Sequence, residues 1–175
     1  MKIIEAMKKL RLIEKRLADN VARIQLYASG LSTEIPHFGT ADAQKAEVQK
    51  LLQENVDLAG TYMELKRQID YTNIVTLVSY GGKTYTLSDL LWLKRKLGNA
   101  LYNTFNALND QQANSRMRNA PTVAGTPAQI VRFYNEKQKH ENLDKVQTML
   151  SELDGRLEVV NSTTELEIYE TNTSK

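Results

Sequence analysis

Few residues in this chain have the type and spacing that chemistry demands. Gly82-Lys83-Thr84 has the ending of a phosphate-cradling loop, G-x-x-x-x-G-K-[ST], but the first glycine of that motif would fall on Leu77. The residues that follow are strand-forming rather than the start of a helix, so both spacing and context fail. The two histidines are His37 and His140. Glu136 and His140 share a helical face, yet a di-iron bundle needs a Glu-x-x-His on each of two helices and two further glutamates. No cysteine is present, which removes thiolate ligands, thiol nucleophiles and disulfides together. No serine, histidine and acid form a recognisable triad, and no acid lies in an apolar setting that would raise its pKa. The expectation is a protein that is not an enzyme, with no catalytic residue, no metal ligand, no cofactor and no specific small molecule.

Two short basic clusters remain, Lys94-Arg95-Lys96 and Arg116-x-Arg118. They lack the interleaved aromatics that stack bases, so nucleic acid is a weakly supported partner. The net charge is +2, too small to produce a field that would recruit polyanions. The first segment is amphipathic and basic, but its apolar stripe is narrow, which suits a partner helix better than a lipid surface. No apolar run approaches the ~20 residues of a membrane span, and no secretory signal opens the chain. A soluble protein made in the cytoplasm is expected.

The elements that must position any site are mostly helices. At 175 residues, one domain with a core is expected, and 7% aromatics alongside abundant Leu, Ala, Glu, Lys and Gln favours helices packed side by side. A first helix, about 2–28, places Ile3, Ala6, Leu10, Ile13, Leu17, Asn20, Ile24 and Tyr27 in alternating three-four spacing, the seam of a coiled-coil-like contact. Asn20 either demands a polar partner across that seam or lies solvated near its end. A loop follows, with Thr40 or Asp42 placed to cap a second helix, about 42–70. Its seam is Val48, Leu51, Asn55, Leu58, Tyr62, Leu65 and Ile69. The first helix has seven bases and three acids, the second six acids and four bases, a bias that suits an antiparallel pair. Gly60, in the middle of the second, marks a close crossing or a bend.

Residues 74–86 carry Val, Thr and Tyr on both sides of Gly81-Gly82, the signal of a β-hairpin. Ser88 is placed to start a third helix, about 88–110, whose opening Leu90-Leu91-Trp92-Leu93 is apolar all round and expected to be buried. Asp110 to Pro127 reads as a long polar loop, and a fourth helix, about 128–160, has Ile130, Phe133, Tyr134, Leu143, Val146, Leu150, Leu153, Leu157 and Val160 as its apolar set. The tail, 161–175, contains alternation at Glu165–Tyr169 that suits a short strand. A lone hairpin is marginal in water and must pack or add to other strands. Tyr80, Lys83 and Tyr85 on the hairpin, and Arg116 and Arg118 in the polar loop, are therefore the candidate interaction residues.

Asn73-Ile74-Val75-Thr76, then Gly81-Gly82-Lys83-Thr84-Tyr85-Thr86-Leu87-Ser88-Asp89, and finally Asn161-Ser162-Thr163-Thr164-Glu165-Leu166 together resemble the septicolysin-like family of small bacterial and phage proteins. The likeness spans nearly the whole chain through short motifs. It departs where the family has Arg-Asp in the first turns of the third helix and this chain has Leu93-Lys94-Arg95-Lys96. It implies chiefly a fold, a helical bundle with a hairpin insertion, and no established activity. It also sets Asn73 and Thr76 beside Asn161 and Thr164 as matching helix-end motifs, each finishing a helix and opening a strand.

The combined expectation is a mainly α protein: an elongated antiparallel four-helix bundle with a β-hairpin insertion. As a structural or interaction protein it would self-associate into a homo-oligomer, with the hairpin or tail strand at the contact. Its expected setting is a phage or virus particle, as a capsid or tail accessory bound to other virion proteins. The alternatives are a nucleic-acid-associated protein and a membrane-active, toxin-like one.

Overall fold

The computed structural model describes residues 1–117, 125 and 127–168. The chain is mainly helical with one small hairpin, as its periodicity predicts. Helix α1 spans Ile3–Tyr27 and α2 Ala41–Val75. Strands β1, Leu77–Tyr80, and β2, Lys83–Thr86, form a two-stranded sheet. Helix α3, Leu87–Trp92, runs without a break through a π-helical turn, Leu93–Gly98, into α4, Asn99–Asn106. Helix α5 is Gln111–Met117 and α6 is Glu136–Thr163. The residues gather into two compact units, one of Met1–Ser79 with the chain from Val159 onward, the other of Tyr80–Glu158.

In the first unit α1 and α2 pack antiparallel along the two seams. Ala6 and Leu10 meet Leu65 and Ile69 at one end, with Met7, Tyr62 and Leu166 packed around them. Asn20 meets Asn55 further along, its Nδ2 donating to the Asn55 Oδ1 at 3.0 Å. Asn20 is 5% exposed, so of the two sequence readings the polar partner across the seam is the one realised. Between these points the Tyr62 hydroxyl donates to Glu14 at 2.9 Å. The charge bias of the two helices is expressed in the ion pair Arg23–Glu47, at 2.7 Å. Thr40, not Asp42, caps α2, its hydroxyl accepting from the Ala43 N–H at 3.2 Å.

Helix α2 continues to Val75 instead of ending near Asp70, and the seam continues with it to Thr72, which is fully buried. The β-branched run Thr72, Ile74, Val75 has strand propensity, but packing overrides it. The Thr72 hydroxyl donates to the Gln68 carbonyl at 2.7 Å and accepts the Glu167 N–H at 2.9 Å. That second bond holds the tail. The tail pairs with the start of the chain: Lys2 bridges Glu165 antiparallel, Ile3 donates to the Thr164 carbonyl at 3.0 Å, and Leu166 donates to the Met1 carbonyl at 2.8 Å. The strand expected over Glu165–Tyr169 is reduced to this isolated bridge at Glu165, and Tyr169 lies outside the described residues.

In the second unit the continuous α3–α4 rod lies antiparallel to α6. Lys94 pairs with Asp154, and Gly98 sits against Leu150, where an added Cβ would overlap the leucine side chain. Leu87, Leu90, Val146, Leu153 and Leu157 are the unit's buried hydrophobic residues among those described. Thr86, two residues earlier than Ser88, is the N-cap of α3. Its hydroxyl accepts from the Asp89 N–H at 3.1 Å while the Asp89 carboxylate accepts the Thr86 N–H at 3.0 Å, a reciprocal capping box. These bonds hold the Asp89 carboxyl below the ordinary carboxylate range.

Three further sequence expectations are corrected by the structure. The opening of the third helix is not buried all round: Leu87 and Leu90 fill the core positions, and Trp92 is 57% exposed. The fourth helix begins at Glu136 rather than Ala128, leaving Phe133 exposed and outside any seam. The stretch read as loop from Asp110 holds the short helix α5. From Leu143 to Val160 the fourth seam is as expected, with Val146, Leu153 and Leu157 buried and the others half-buried.

Candidate interaction surface

The hairpin is built by Gly81 and Gly82, at φ 56° and 76°, a left-handed pair that side chains other than glycine's rarely tolerate and that matches a tight two-residue turn. Its strands pair with each other, so each leaves its outer row of backbone groups open among the described residues. Val78 is buried, whereas Leu77 on the opposite face is 69% exposed. The last turn of α2 leads into β1 with Ile74 and Val75 also exposed. Three large apolar residues thus lie in water beside an open strand edge.

The sequence-derived candidates separate. Lys83 is exposed on β2 and Tyr85 half-buried. Tyr80 is half-buried, and burial together with the Glu152 carboxylate pushes its hydroxyl pKa up. Arg116 is exposed in the last turn of α5, its Nε donating to the Gln112 carbonyl at 3.3 Å, and Arg118 lies outside the described residues. Asn73 and Asn161 lie in the last turns of their helices. Asn73 sits within α2 and Asn161 within α6, whose ends lie at Val75 and Thr163. Thr76 is the C-cap of α2, its N–H donating to the Thr72 carbonyl at 2.9 Å. Thr164 follows α6 directly, its N–H donating to the Val160 carbonyl at 2.9 Å. The two asparagines thus stand at the same place in the last turn, two residues before the helix end, and the two threonines directly follow the end.

The sequence reading missed a polar network that ties the segment before α6 to the end of the α3–α4 rod. Arg132 makes a forked contact with Asp110, its Nη2 reaching the carboxylate at 2.6 Å, and the Tyr134 hydroxyl donates to Asp110 at 3.2 Å. The Lys139 ammonium lies 5.8 Å from the centre of the Tyr134 ring, and His140 Nε2 is 3.3 Å from Glu136. Arg132, above all, lowers the Asp110 pKa, and the Tyr134 and Lys139 side chains lower that of Glu136. Carboxyls depressed in the native state contribute stability that is complete above their unfolded pKa, about 4, and is lost as pH falls through the lower native value. The melting temperature of the wild-type chain should therefore fall on acidification below about pH 4, and Asp110→Asn should flatten that limb in a melting series against pH. Glu136 Oε2 is buried without a hydrogen bond, 4.0 Å from Arg132 Nε. The contacts with Arg132, Tyr134 and Lys139 are the cause of the shifts. Among the described residues no three His, Cys, Asp or Glu side chains gather as a metal site.

The loop between α1 and α2 covers a cleft of about 760 Å³ lined by Tyr27, Leu31, Ile35, His37, Gln44 and Val48, among others. Phe38 packs edge-on against Tyr27 at 4.9 Å, and Gln44 binds the Tyr27 carbonyl and the His37 N–H, closing the loop over the helix ends. Among the described residues no helix is long and apolar enough to cross a membrane.

No family model matches the chain, and no curated protein matches it. Among solved structures, the chain is similar to a functionally unknown conserved protein from Corynebacterium diphtheriae, at 21% identity and a TM-score of 0.67. The match covers 95% of this chain and 99% of the other. At that identity the likeness establishes a shared fold over nearly the full length of both chains.

Proposed function

We propose that this chain is a non-enzymatic interaction protein that self-associates through its hairpin. The observation that carries this reading is the open two-stranded sheet beside Ile74, Val75 and Leu77, which are 59%, 42% and 69% exposed. Soluble proteins usually blunt such an edge with charge or cover it; Lys83 supplies a charge on β2, whereas the exposed residues leading into β1 are apolar. Strand addition from a second copy would pair the open backbone groups and bury the three residues. Leu77→Lys places a charge beside the edge and should shift the assembly toward single chains in light scattering, with the helical circular dichroism unchanged. An unchanged mass would remove the hairpin from the contact. The setting we attach to this reading is a capsid or tail accessory of a phage or virus particle. It is supported by the family resemblance alone, and head or tail genes beside this one would favour it.

A second reading is favoured by Trp92. An apolar helix start does not account for an indole 57% exposed. Arg95 and Lys96, three and four residues on, are also exposed. Such a trio offers a stacking face beside two cations, the minimum for single-stranded nucleic acid. Trp92 is the single tryptophan, so its fluorescence is a direct probe. Salt-sensitive quenching by an oligonucleotide would support this reading, and its absence at low salt would dismiss it.

A further inference from the structure

Besides the seam that meets α1, helix α2 carries a second apolar stripe. Leu52, Val56, Ala59 and Met63 follow one another at four-three-four spacing, each one residue beyond a seam position. That offset turns the stripe about 100° away from α1. Leu52, Val56 and Met63 are 44%, 66% and 52% exposed. In an antiparallel pair, positions with the same offset from both seams lie on the same side. Arg23 and Glu47, each one residue before its seam, confirm this by their ion pair on the other side. The corresponding positions of α1 include Ala18 and Val21, both exposed, so the apolar strip extends across both helices.

We infer that this face is covered by the same face of a second copy, with the two α2 helices antiparallel about a two-fold axis near Asp57 and Leu58. This deepens the self-association proposed above and rests on it. Three features select a second copy. The stripe is self-complementary about that centre, setting Leu52 against Met63 and Val56 against Ala59. The same register sets Lys45 against Asp70 at both ends, opposite charges where a parallel pairing would juxtapose like ones. Lys45 has no ion pair among the described residues, while Asp70 is held by Lys66 of its own chain and keeps a further carboxylate oxygen for a second cation.

Gly60 is the third feature. Glycine weakens a helix interior relative to alanine, and a Cβ added here would meet nothing within 4 Å. Nothing in the chain's own packing calls for glycine at this position, but an opposing backbone close to the stripe would. The result would be a four-helix arrangement made of two α1–α2 hairpins. Because a two-fold contact closes on itself, the hairpin edges would then link such dimers into larger assemblies.

The absence of cysteine allows a direct test by single-cysteine variants of the full chain under mild oxidation. Ala59→Cys, close to the axis, should form a disulfide-linked dimer. Gln49→Cys should not, because its own copy lies about 25 Å away along the pair, but should cross-link when mixed with Lys66→Cys. Val56→Glu should raise the dissociation constant at least about tenfold and leave helicity intact. Cross-linking of Gln49→Cys to itself would overturn the antiparallel register. No cross-link from any of them in a chain that still weighs as an oligomer would overturn this face and leave the hairpin contact standing. A wild-type chain that is monomeric at every concentration would overturn both.

Discussion

Replacing the buried Asn20 with alanine is expected to destabilise the chain by about 1 kcal/mol in denaturant unfolding, the net worth of a hydrogen bond whose remaining partner, Asn55, is half-buried. The Asn55 carbonyl would lose the donor that now reaches it at 3.0 Å across an otherwise apolar seam. Asn55→Ala should cost a similar amount, and the double replacement should cost less than the two together, because the two side chains share one interaction. Leucine at both positions should raise the denaturation midpoint while weakening what holds α1 and α2 in one register. A polar pair in such a seam trades stability for specificity. If Asn20→Ala and Asn55→Ala act additively, the pair is not the register lock described here.

Gly98→Val should produce the other large loss, about 1–3 kcal/mol from overpacking. Even a methyl group at this site overlaps the Leu150 side chain. Valine regains only a few tenths of a kcal/mol in helix propensity over glycine, so the clash decides the sign. Leu150→Ala is costly by itself but should relieve part of the Gly98→Val penalty in the double variant. Gly155→Ala is the control. An added Cβ there meets nothing within 4 Å, so alanine should stabilise by up to about 1 kcal/mol. The close approach at Gly98 coincides with the π-helical turn, a distortion often found where a helix is adapted to a neighbour or a site.

The seams were legible because three-four spacing is a local property of the chain. Ile3 to Tyr27, Val48 to Ile69 and Leu143 to Val160 all sit where their spacing places them, and Asn20 and Asn55 stand in register from periodicity alone. What could not be read depends on partners far away in sequence. Thr72, Ile74 and Val75 have strand propensity, and only the bond from Thr72 to the Glu167 N–H shows why the helix keeps them. Trp92 looked like core because its neighbours are leucines. The capping box at Thr86 starts the helix early enough that Leu87 and Leu90 take the buried positions instead. The first turns expected of the fourth helix are spent on Arg132 and Tyr134 reaching back to Asp110. Of the surface residues, the glycine turn and Lys83 were found from the sequence. Ile74, Val75 and Leu77 were read as strand, and nothing local says which side of a strand stays open. The second stripe on α2 was present in the spacing, but it becomes meaningful only once the first stripe is known to be filled by α1.

The claim that joins these observations is that one chain does not complete its own surfaces. The measurement that tests it most directly is the mass of the purified wild-type chain by light scattering over a wide range of concentrations. Multiples of 19.9 kDa that dissociate on dilution, or persist throughout, are the predicted result. A single species of 19.9 kDa at every concentration would contradict it.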